Sequence, residues 1–587
     1  MANIMSMVKL NNKTSRNAFD LSRRNAFTAK VGELLPVACI ECIPGDRIKG
    51  RVQHFTRTVP VSTAAYTRIR EYYDWFFVPT NLLWNKFNTF VTQMSKNSQH
   101  AISTQATTIL SDKHPYFTAN QLSDAIYRIN RDAGNNMFGF KRAELSCKLL
   151  SYLGYGDYSL SIGNASVNNA SNVNLNPFPL LAYQKIYQDY FRNSQWEDSF
   201  APAFNVDYIT NSPQISVSQV VAVSGQFETM FDLRYSNWNK DLFMGLLPNA
   251  QYGAASVIPV TPITGNDDSL SFALRGGVSQ TTTGFTPIGL PQGANNTNRL
   301  ALKTEASSNV GFTLSQDGAR ALLKNLGIDN ISILSLRHAE ALQKWREITQ
   351  SQQQDYKNQI EAHFGVSMSD AYSERCKYID GSVSNLDISE VMNNNITSDN
   401  PADIAGKGVG VGDSSFDFSS DVHGYLMCIY HATPLLDYST NGIPRMNLKT
   451  TATDYAIPEF DATGMVSVPF VELTNSLNFS AYSNTLLGYA PRYYDYKQAI
   501  DEVHGAFKTS YSPWVAPISD DYIANYMSNL PNNTSGFNYR FFKVNPNVLN
   551  PIFSLVADGS EETDQLLVNA SFGITAVRNL DRNGLPY

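Results

Sequence analysis

The sequence predicts a mainly β fold, a single antiparallel jelly-roll sandwich with long helical and loop insertions. Strand-like alternation occurs near both ends of the chain, at residues 36–78 and 566–576, whereas helix-like and loop-like segments fill the middle. A parallel α/β protein would alternate strands and helices regularly, which this chain does not do. Its 587 residues also exceed the roughly 250–300 at which single cores stop growing. The chain is therefore either several domains or one scaffold with insertions.

Four stretches carry the strand prediction. Residues 52–59 and 66–78 alternate between two faces and are rich in β-branched and aromatic residues. Residues 566–576 alternate apolar with mostly small polar side chains, which indicates a half-buried strand. Residues 424–430 (GYLMCIY) are apolar on both faces, which predicts a strand covered on both sides. A further short strand is expected around Val468, with an edge or bulge at the following proline.

Helical spacing is clearest in residues 336–364, where apolar residues recur three and four positions apart. The polar stretch at 351–354 predicts a bend or break in this helix. Shorter helices are expected over residues 82–93, 119–131 and 495–507.

The predicted organisation is a basic N-terminal arm, residues 1–35, followed by a jelly-roll domain, residues 36–587. Two stretches, about 163–176 and 249–298, are expected to be exposed loops because they are rich in Asn, Ser, Thr and Gly and poor in charge. Residues 331–364 are expected to form a helical insertion.

Composition limits the function classes. The net charge is −7 and charged residues make up only 17% of the chain. The composition of the whole chain is therefore not that of a strongly basic nucleic-acid-binding protein. A charge-poor surface fits neutral polar loops or extensive contact with other protein chains.

The first thirty residues depart from this average. They carry six cations against the single acid Asp20, and composition alone favours a solvated tail with no specific partner. The sharper hypothesis is that this arm faces DNA. Its six cations are Lys9, Lys13, Arg16, Arg23, Arg24 and Lys30.

The second surface hypothesis concerns residues 249–298, whose only charges are Asp267, Asp268 and Arg275. This stretch is expected to be exposed and to contact either the host or a threefold-related neighbour.

No catalytic, metal or cofactor site is expected, and the protein is predicted not to be an enzyme. Cys39-x-x-Cys42 lacks the second ligand pair that a zinc site needs, so two buried strand cysteines are the favoured interpretation. Residues 406–412 (GKGVGVG) lack the phosphate-loop pattern and are interpreted as a tightly turning loop. Residues 1–10 contain no apolar core of signal-peptide length, and no run reaches membrane-span length.

Residues 44–84 carry a resemblance to a known family. They read PGDRIKGRVQHFTRTVPVSTAAYTRIREYYDWFFVPTNLLW, which resembles the N-terminal strand region of microvirus major capsid proteins, especially the gokushovirus-like branch. Further blocks follow in family order: LRHAEALQKWRE and HFGVSMSDA within 331–371, ISEV at 388–391, the glycine-rich 406–412, VHGYLMCIYHATPLLDY at 422–438, and GYAPRYYDYKQAIDEVHGAF at 488–507. Residues 376–381 read CKYIDG where the family often has PEYLGG, and residues 249–298 match no family block.

The resemblance implies a major capsid subunit that self-assembles into a T=1 icosahedral shell around circular single-stranded DNA. It also implies small DNA-binding, pilot and scaffolding virion proteins as partners, a host cell surface as target, and no membrane insertion. The expected location is the virion, assembled in the host bacterial cytoplasm. Two alternatives remain open: a jelly-roll carbohydrate-binding (lectin-like) protein, and a glycoside-processing enzyme whose carboxylates lie far apart in sequence.

Overall fold

The structure is a computed structural model. It describes residues 16–61, 65–92, 113–163, 173–210, 213–216, 229–256, 333–369, 373–392, 404–474, 486–515, 517–528, 537–553 and 561–581. The chain divides into two compact units, one of residues 1–252 with 347–587 and the other of residues 253–346. In the described part of the second unit, the Gln343 side chain accepts a hydrogen bond from the Ser256 amide (3.2 Å).

The described strands, in chain order, are β1 (Asn17–Asp20), β2 (Arg23–Ala29), β3 (Leu35–Cys42), β4 (Arg47–Thr58), β5 (Ile69–Pro79), β6 (Phe117–Thr118), β7 (Asn174–Leu175), β8 (Lys377–Met392), β9 (Ile404–Ser419), β10 (Gly424–Pro434), β11 (Asp437–Tyr438), β12 (Met465–Pro469), β13 (Leu486–Pro491), β14 (Pro517–Ile518) and β15 (Leu566–Arg578). The described helices are α1 (Phe87–Thr92), α2 (Ala119–Arg128), α3 (Arg142–Tyr152), α4 (Phe178–Ile186), α5 (Ile333–Ser351), α6 (Tyr356–Phe364), α7 (Asp520–Ser528) and α8 (Asn550–Phe553).

Strand order identifies the jelly roll. The eight long strands β2, β3, β4, β5, β8, β9, β10 and β15 pair first with last, second with seventh, third with sixth and fourth with fifth, always antiparallel. This pattern is a long hairpin rolled up on itself, and it yields two four-stranded halves, β2-β15-β4-β9 and β3-β10-β5-β8. The β8–β9 pairing joins the halves into one sheet, and β1 adds to β15. The predicted jelly-roll sandwich is confirmed.

Aromatic contacts show that the two halves face each other. In the sheet order, β5 and β15 are four strands apart, which is about 19 Å in a flat sheet at ~4.8 Å per strand. The Trp75 and Phe572 rings on these strands are nevertheless only 6.2 Å apart. His54 on β4 stacks on Tyr73 of β5 at 4.4 Å. The sheet is therefore curled, and the core lies between its halves.

The outer faces of the two halves differ. Strand β10 is buried at every position, as its apolar sequence predicts. Phe76 of β5 packs against Tyr190 and Phe191, which follow α4, so side chains after this helix cover part of the second half. Strands β4 and β15 instead alternate between buried and mostly exposed positions along nearly their whole length. The outer face of the first half is therefore open to solvent.

The insertions leave from two connections, the one between β5 and β8 and the one between β10 and β15. The predicted helix over 336–364 is confirmed with its break, because α5 ends at Ser351 and α6 begins at Tyr356, capped by the Asp355 side chain. The helix expected at 119–131 is confirmed as α2 and its continuing π turn. At 82–93 the helix is shorter than expected.

Three expectations are corrected. Residues 406–412 are not a turning loop but part of β9. Residues 495–507 form one-turn 3-10 helices and extended chain rather than a helix. The N-terminal segment is not an arm throughout, because β1 and β2 pair with β15. In the first case the pattern of glycines at alternate positions suits a strand as well as a loop, and neighbouring side chains decide between them.

Candidate nucleic-acid interface

The open outer face of β2, β15, β4 and β9 carries a concentration of positive charge. Because side chains alternate along a strand, every second residue of β4 points to this face. We define the cationic face by five exposed side chains: Arg24, Arg47, Lys49, Arg51 and Arg57.

Two carboxylates on β9 partly neutralise these cations. Asp417 accepts two hydrogen bonds from Arg47 (3.2 and 2.7 Å) and lies 3.3 Å from the Lys49 ammonium. Asp413 accepts two from Arg51 (2.8 and 2.5 Å). The hydrogen bonds from Arg47 are the main cause that lowers the pKa of Asp417 to about 2. The five cations that define the face and these two carboxylates leave three net positive charges, in a chain with a net charge of −7.

The middle of the face is formed by uncharged, mostly short side chains of β15. The outward residues of β15 include Asn569, Ser571, Gly573 and Thr575, all exposed. Asn569 accepts a hydrogen bond from the Arg24 guanidinium at 2.6 Å. Small polar side chains between Arg24 of β2 and the row of cations on β4 leave a shallow surface on which an extended polyanion can lie.

The structure separates the six cations of the predicted arm. Lys9 and Lys13 lie outside the described residues. Arg16 is exposed and donates a hydrogen bond to the Gly45 carbonyl. Arg23 and Arg24 are exposed on β2, and Arg24 belongs to the cationic face.

The expectation for Lys30 is wrong. Its side chain is fully buried, and its ammonium lies 2.6 Å from Asp564, two residues before β15. Lys148 of α3 is equally buried and pairs with both Glu33 and Asp564 at 2.8 Å. Burial would raise the pKa of Asp564, but the two ammonium groups outweigh it and the pKa is lowered. Lys30 is therefore a structural cation, since two lysines and two carboxylates satisfy one another inside the protein.

The predicted loop charges Asp267, Asp268 and Arg275 lie outside the described residues, as does most of the loop at 163–176. Their role stays a prediction.

The candidate metal residues form no site. Cys39 and Cys42 lie on β3, and burial raises the pKa of each thiol to about 12. Across the part of the chain that the structure describes, no three His, Cys, Asp or Glu side chains are grouped to hold a metal ion. Nor does any described helix combine the length and apolar character of a membrane span.

A buried polar pair lies inside the sandwich. The His54 side chain contacts Ser384 (2.9 Å), and its Nε2 atom is 3.8 Å from Glu71 Oε2. Tyr430 donates a hydrogen bond to the other oxygen of Glu71 at 2.8 Å. Burial lowers the pKa of His54 to about 4 and raises that of Glu71. Burial therefore shifts both groups toward their neutral forms, and the pair is part of the core rather than of an exposed site.

The sequence did contain a signal for the cationic face. Residues 47, 49, 51 and 57 are basic and share one parity in a stretch that was correctly predicted as a strand. Charges at every second position of a strand gather on one face. The hypothesis of a DNA-facing N-terminal arm instead relied on the number of cations in the first thirty residues. That number contains no information on the direction of each side chain.

Comparison with known proteins places this geometry in a family. The family model described as "Capsid protein (F protein)", of phages, matches residues 6–131 and 154–586. The capsid protein VP1 of Chlamydia phage 1 is 22% identical over 550 residues, which cover 84% of this chain and 85% of the relative. The capsid protein VP1 of Bdellovibrio phage phiMH2K is 22% identical over 524 residues, covering 85% and 84%.

These matches cover both ends of the jelly roll and most of its insertions. They favour the structural role over the lectin-like and glycoside-processing alternatives, since the family is one of virion components and not of enzymes. The chain belongs to the phage F capsid protein family, and it is a structural protein of a microvirus-like bacteriophage particle.

Proposed function

We propose that this chain is the major capsid subunit that self-assembles into a T=1 icosahedral shell and encloses circular single-stranded DNA. The observation that carries the proposal is an open, net-positive sheet face on a jelly roll of a capsid family. Within an acidic chain, such a face offers phosphate contacts without making the whole protein a nucleic-acid binder.

The cationic face is proposed to point inward and to contact the genome. Arginine pairs phosphate oxygens as well as it pairs the carboxylates of Asp413 and Asp417, so phosphates can replace or share these partners. Arg16 and Arg23, with Lys9 and Lys13 of the N-terminal segment, are proposed to extend the contact.

A charge-removal variant tests this role. Lys49, Arg51 and Arg57 are replaced by Gln, and the matched control replaces three other exposed cations, Arg131, Lys141 and Lys497. Loss of three phosphate contacts should reduce the dependence of oligonucleotide affinity on salt by about 2 in logarithmic slope. Particles of the first variant should contain less DNA than particles of the control. Equal DNA content and equal slopes would refute the inward-facing role.

The remaining partners follow from the proposed shell. Small DNA-binding, pilot and scaffolding proteins are proposed to assist assembly in the host cytoplasm. Residues 249–298 are proposed to contact the host surface or a threefold neighbour, because they are rich in Gly, Thr, Pro and Asn and carry few charges. A deletion of this stretch that leaves adsorption and assembly both intact would refute that role.

A further inference from the structure

Four aromatic rings form a patch on the surface near the start of β5. We call it the aromatic patch: Tyr66, Phe507, Tyr511 and Trp514. The ring centre of Tyr66 is 5.5 Å from that of Trp514 and 6.2 Å from that of Phe507. The ring centre of Tyr511 is 6.1 Å from that of Phe507 and 6.4 Å from that of Trp514. Tyr66 is 66% exposed and Tyr511 is 51% exposed. Such a cluster is unusual on a solvated surface, because burying aromatic rings is strongly favourable.

The local backbone holds this patch in place. The Tyr66 amide donates a hydrogen bond to the Trp514 carbonyl at 2.7 Å, which joins the two chain segments. The other rings come from two one-turn 3-10 helices, Gly505–Lys508 and Ser512–Trp514, and from Tyr511 in the short segment between them. The Tyr511 amide closes the turn on the Ala506 carbonyl at 2.9 Å. The rings are therefore presented by ordered chain.

We propose that the aromatic patch is a contact surface for a second copy of this chain in the assembled shell. The inference rests on the proposed function and specifies where subunits meet. Tyrosine and tryptophan are enriched at the energetic centres of protein interfaces, since each buries a large rigid area at little entropic cost.

Charge favours a second copy over DNA as the occupant. The rim of the patch carries Arg68 paired with Asp501 at 3.0 Å and His504 paired with Glu502 at 3.2 Å. Positive and negative groups are thus mixed, in contrast to the cationic face. A polyanion gains little from such a rim, whereas another copy with the same mixture can exchange ion-pair partners across an interface.

Size indicates the kind of contact. A fully buried aromatic side chain covers about 150–250 Å². Tyr66 and Tyr511 are more than half exposed, whereas Phe507 and Trp514 are partly buried. The four rings therefore offer ~200–450 Å², which is less than the ~800 Å² that each partner contributes to a typical stable interface. The patch is accordingly the centre of a larger contact that gains strength when many copies close a shell.

A matched pair of double variants tests the inference. Tyr66→Ser with Tyr511→Ser removes the most exposed rings of the patch. Tyr208→Ser with Tyr252→Ser removes two tyrosines elsewhere on the surface. Their exposed fractions, 67% and 51%, match those of Tyr66 and Tyr511. Each is expressed with the phage's other assembly proteins, and particles are counted by sedimentation and electron microscopy. We expect at least tenfold fewer particles for the patch variant and wild-type numbers for the control.

A labelling experiment covers the case in which the patch variant fails to fold. Cysteine is placed singly at Tyr511 or at Tyr208, and its reaction with a maleimide is compared between unassembled chain and particles. Protection of position 511 alone on assembly supports the inference. Normal particle yield with an unprotected position 511 overturns it, as does a patch variant that loses DNA but keeps its particles. Failure of the wild-type chain to form closed particles would instead refute the proposed function and this inference with it.

Discussion

Lys30 and Lys148 have a different role from Lys49, although all three are lysines of the same chain. Both ammonium groups are buried with two carboxylates, Glu33 and Asp564, so the cluster has no net charge. It links the segment that follows β2, helix α3 and the segment just before β15. Lys49, the one lysine among the five residues that define the cationic face, is exposed instead. At the scale of single residues, burial and partners decide the role, and residue type does not.

The first prediction concerns this cluster. Lys148→Ala leaves a surplus carboxylate charge in the protein interior, and the free energy of unfolding should fall by about 3–5 kcal/mol. Lys141→Ala, which breaks the exposed pair with Glu144 near the same helix, should cost ~1 kcal/mol or less. Chemical denaturation of both variants measures the difference. Equal losses would show that the buried cluster is not a major source of stability.

The second prediction concerns pH and His54. Its pKa is about 4 in the folded protein against 6.5 for the free side chain, so only the unfolded chain gains a proton between these values. Stability is complete above pH 6.5 and should fall as the pH drops toward 4, by roughly 3 kcal/mol at 1.36 kcal/mol per unit. Glu71 titrates in the opposite sense, because its raised pKa costs stability as the pH rises.

The measurement is the free energy of unfolding between pH 4.5 and 7 for wild type and His54→Gln. The variant lacks the titrating ring, so its curve should be flatter over this range. A drop of the same size in both proteins would assign the acid sensitivity to other groups. His431→Gln serves as the control, since that histidine lies beside Asp74 and outside the His54 pair.

At the scale of elements, strand β9 explains why glycines recur at every second position. A Cβ on Gly408 would lie 2.4 Å from Thr58, one on Gly410 would lie 2.3 Å from Glu71, and one on Gly412 would lie 2.2 Å from His54. Only glycine leaves room for these side chains between the two halves of the sandwich. The spacing that resembles a flexible loop is therefore the inner face of a strand.

The third prediction follows from this packing. Gly410→Ala should destabilise the protein by about 1–3 kcal/mol, because the added methyl group overpacks the core. Gly573→Ala on β15 is the control, since its Cβ would meet nothing closer than the Arg51 carbonyl at 3.8 Å. Thermal unfolding of both variants provides the comparison. Two unchanged melting temperatures would mean that Glu71 moves aside without cost.

The fourth prediction concerns the row of cations on β4. Asp413→Asn with Asp417→Asn removes the carboxylates that hold Arg47 and Arg51, so these side chains become available to phosphate. Affinity for a single-stranded oligonucleotide should rise, and its salt dependence should steepen. Asp132→Asn with Asp461→Asn, at two other exposed ion pairs, should change neither. Anisotropy titrations at several salt concentrations distinguish the outcomes.

At the scale of the whole molecule, alternation in the sequence predicted the outer strands and their buried faces correctly. Strand β15 and the fully buried β10 follow the expected patterns residue by residue. Helix α5 and the start of α6 were predicted from spacing and a polar break. The predictions at 406–412 and 495–507 were wrong because their local patterns fit more than one structure. Glycine suits a strand or a turn, and scattered aromatic residues suit an α-helix or a series of one-turn 3-10 helices.

The sequence by itself determined the fold class, the family and the structural rather than catalytic role. These depend on periodicity and ordered motifs, which short stretches of chain carry. Only the tertiary structure decided which cations reach solvent, and it assembled the cationic face and the aromatic patch. The reason is that their surroundings come from distant residues: Lys30 meets Asp564 across 534 positions, and Tyr66 meets Trp514, which lies far along the chain in the connection between β10 and β15. No local pattern encodes contacts between segments so far apart, so burial, charge pairing and surface patches emerge only when the jelly roll closes.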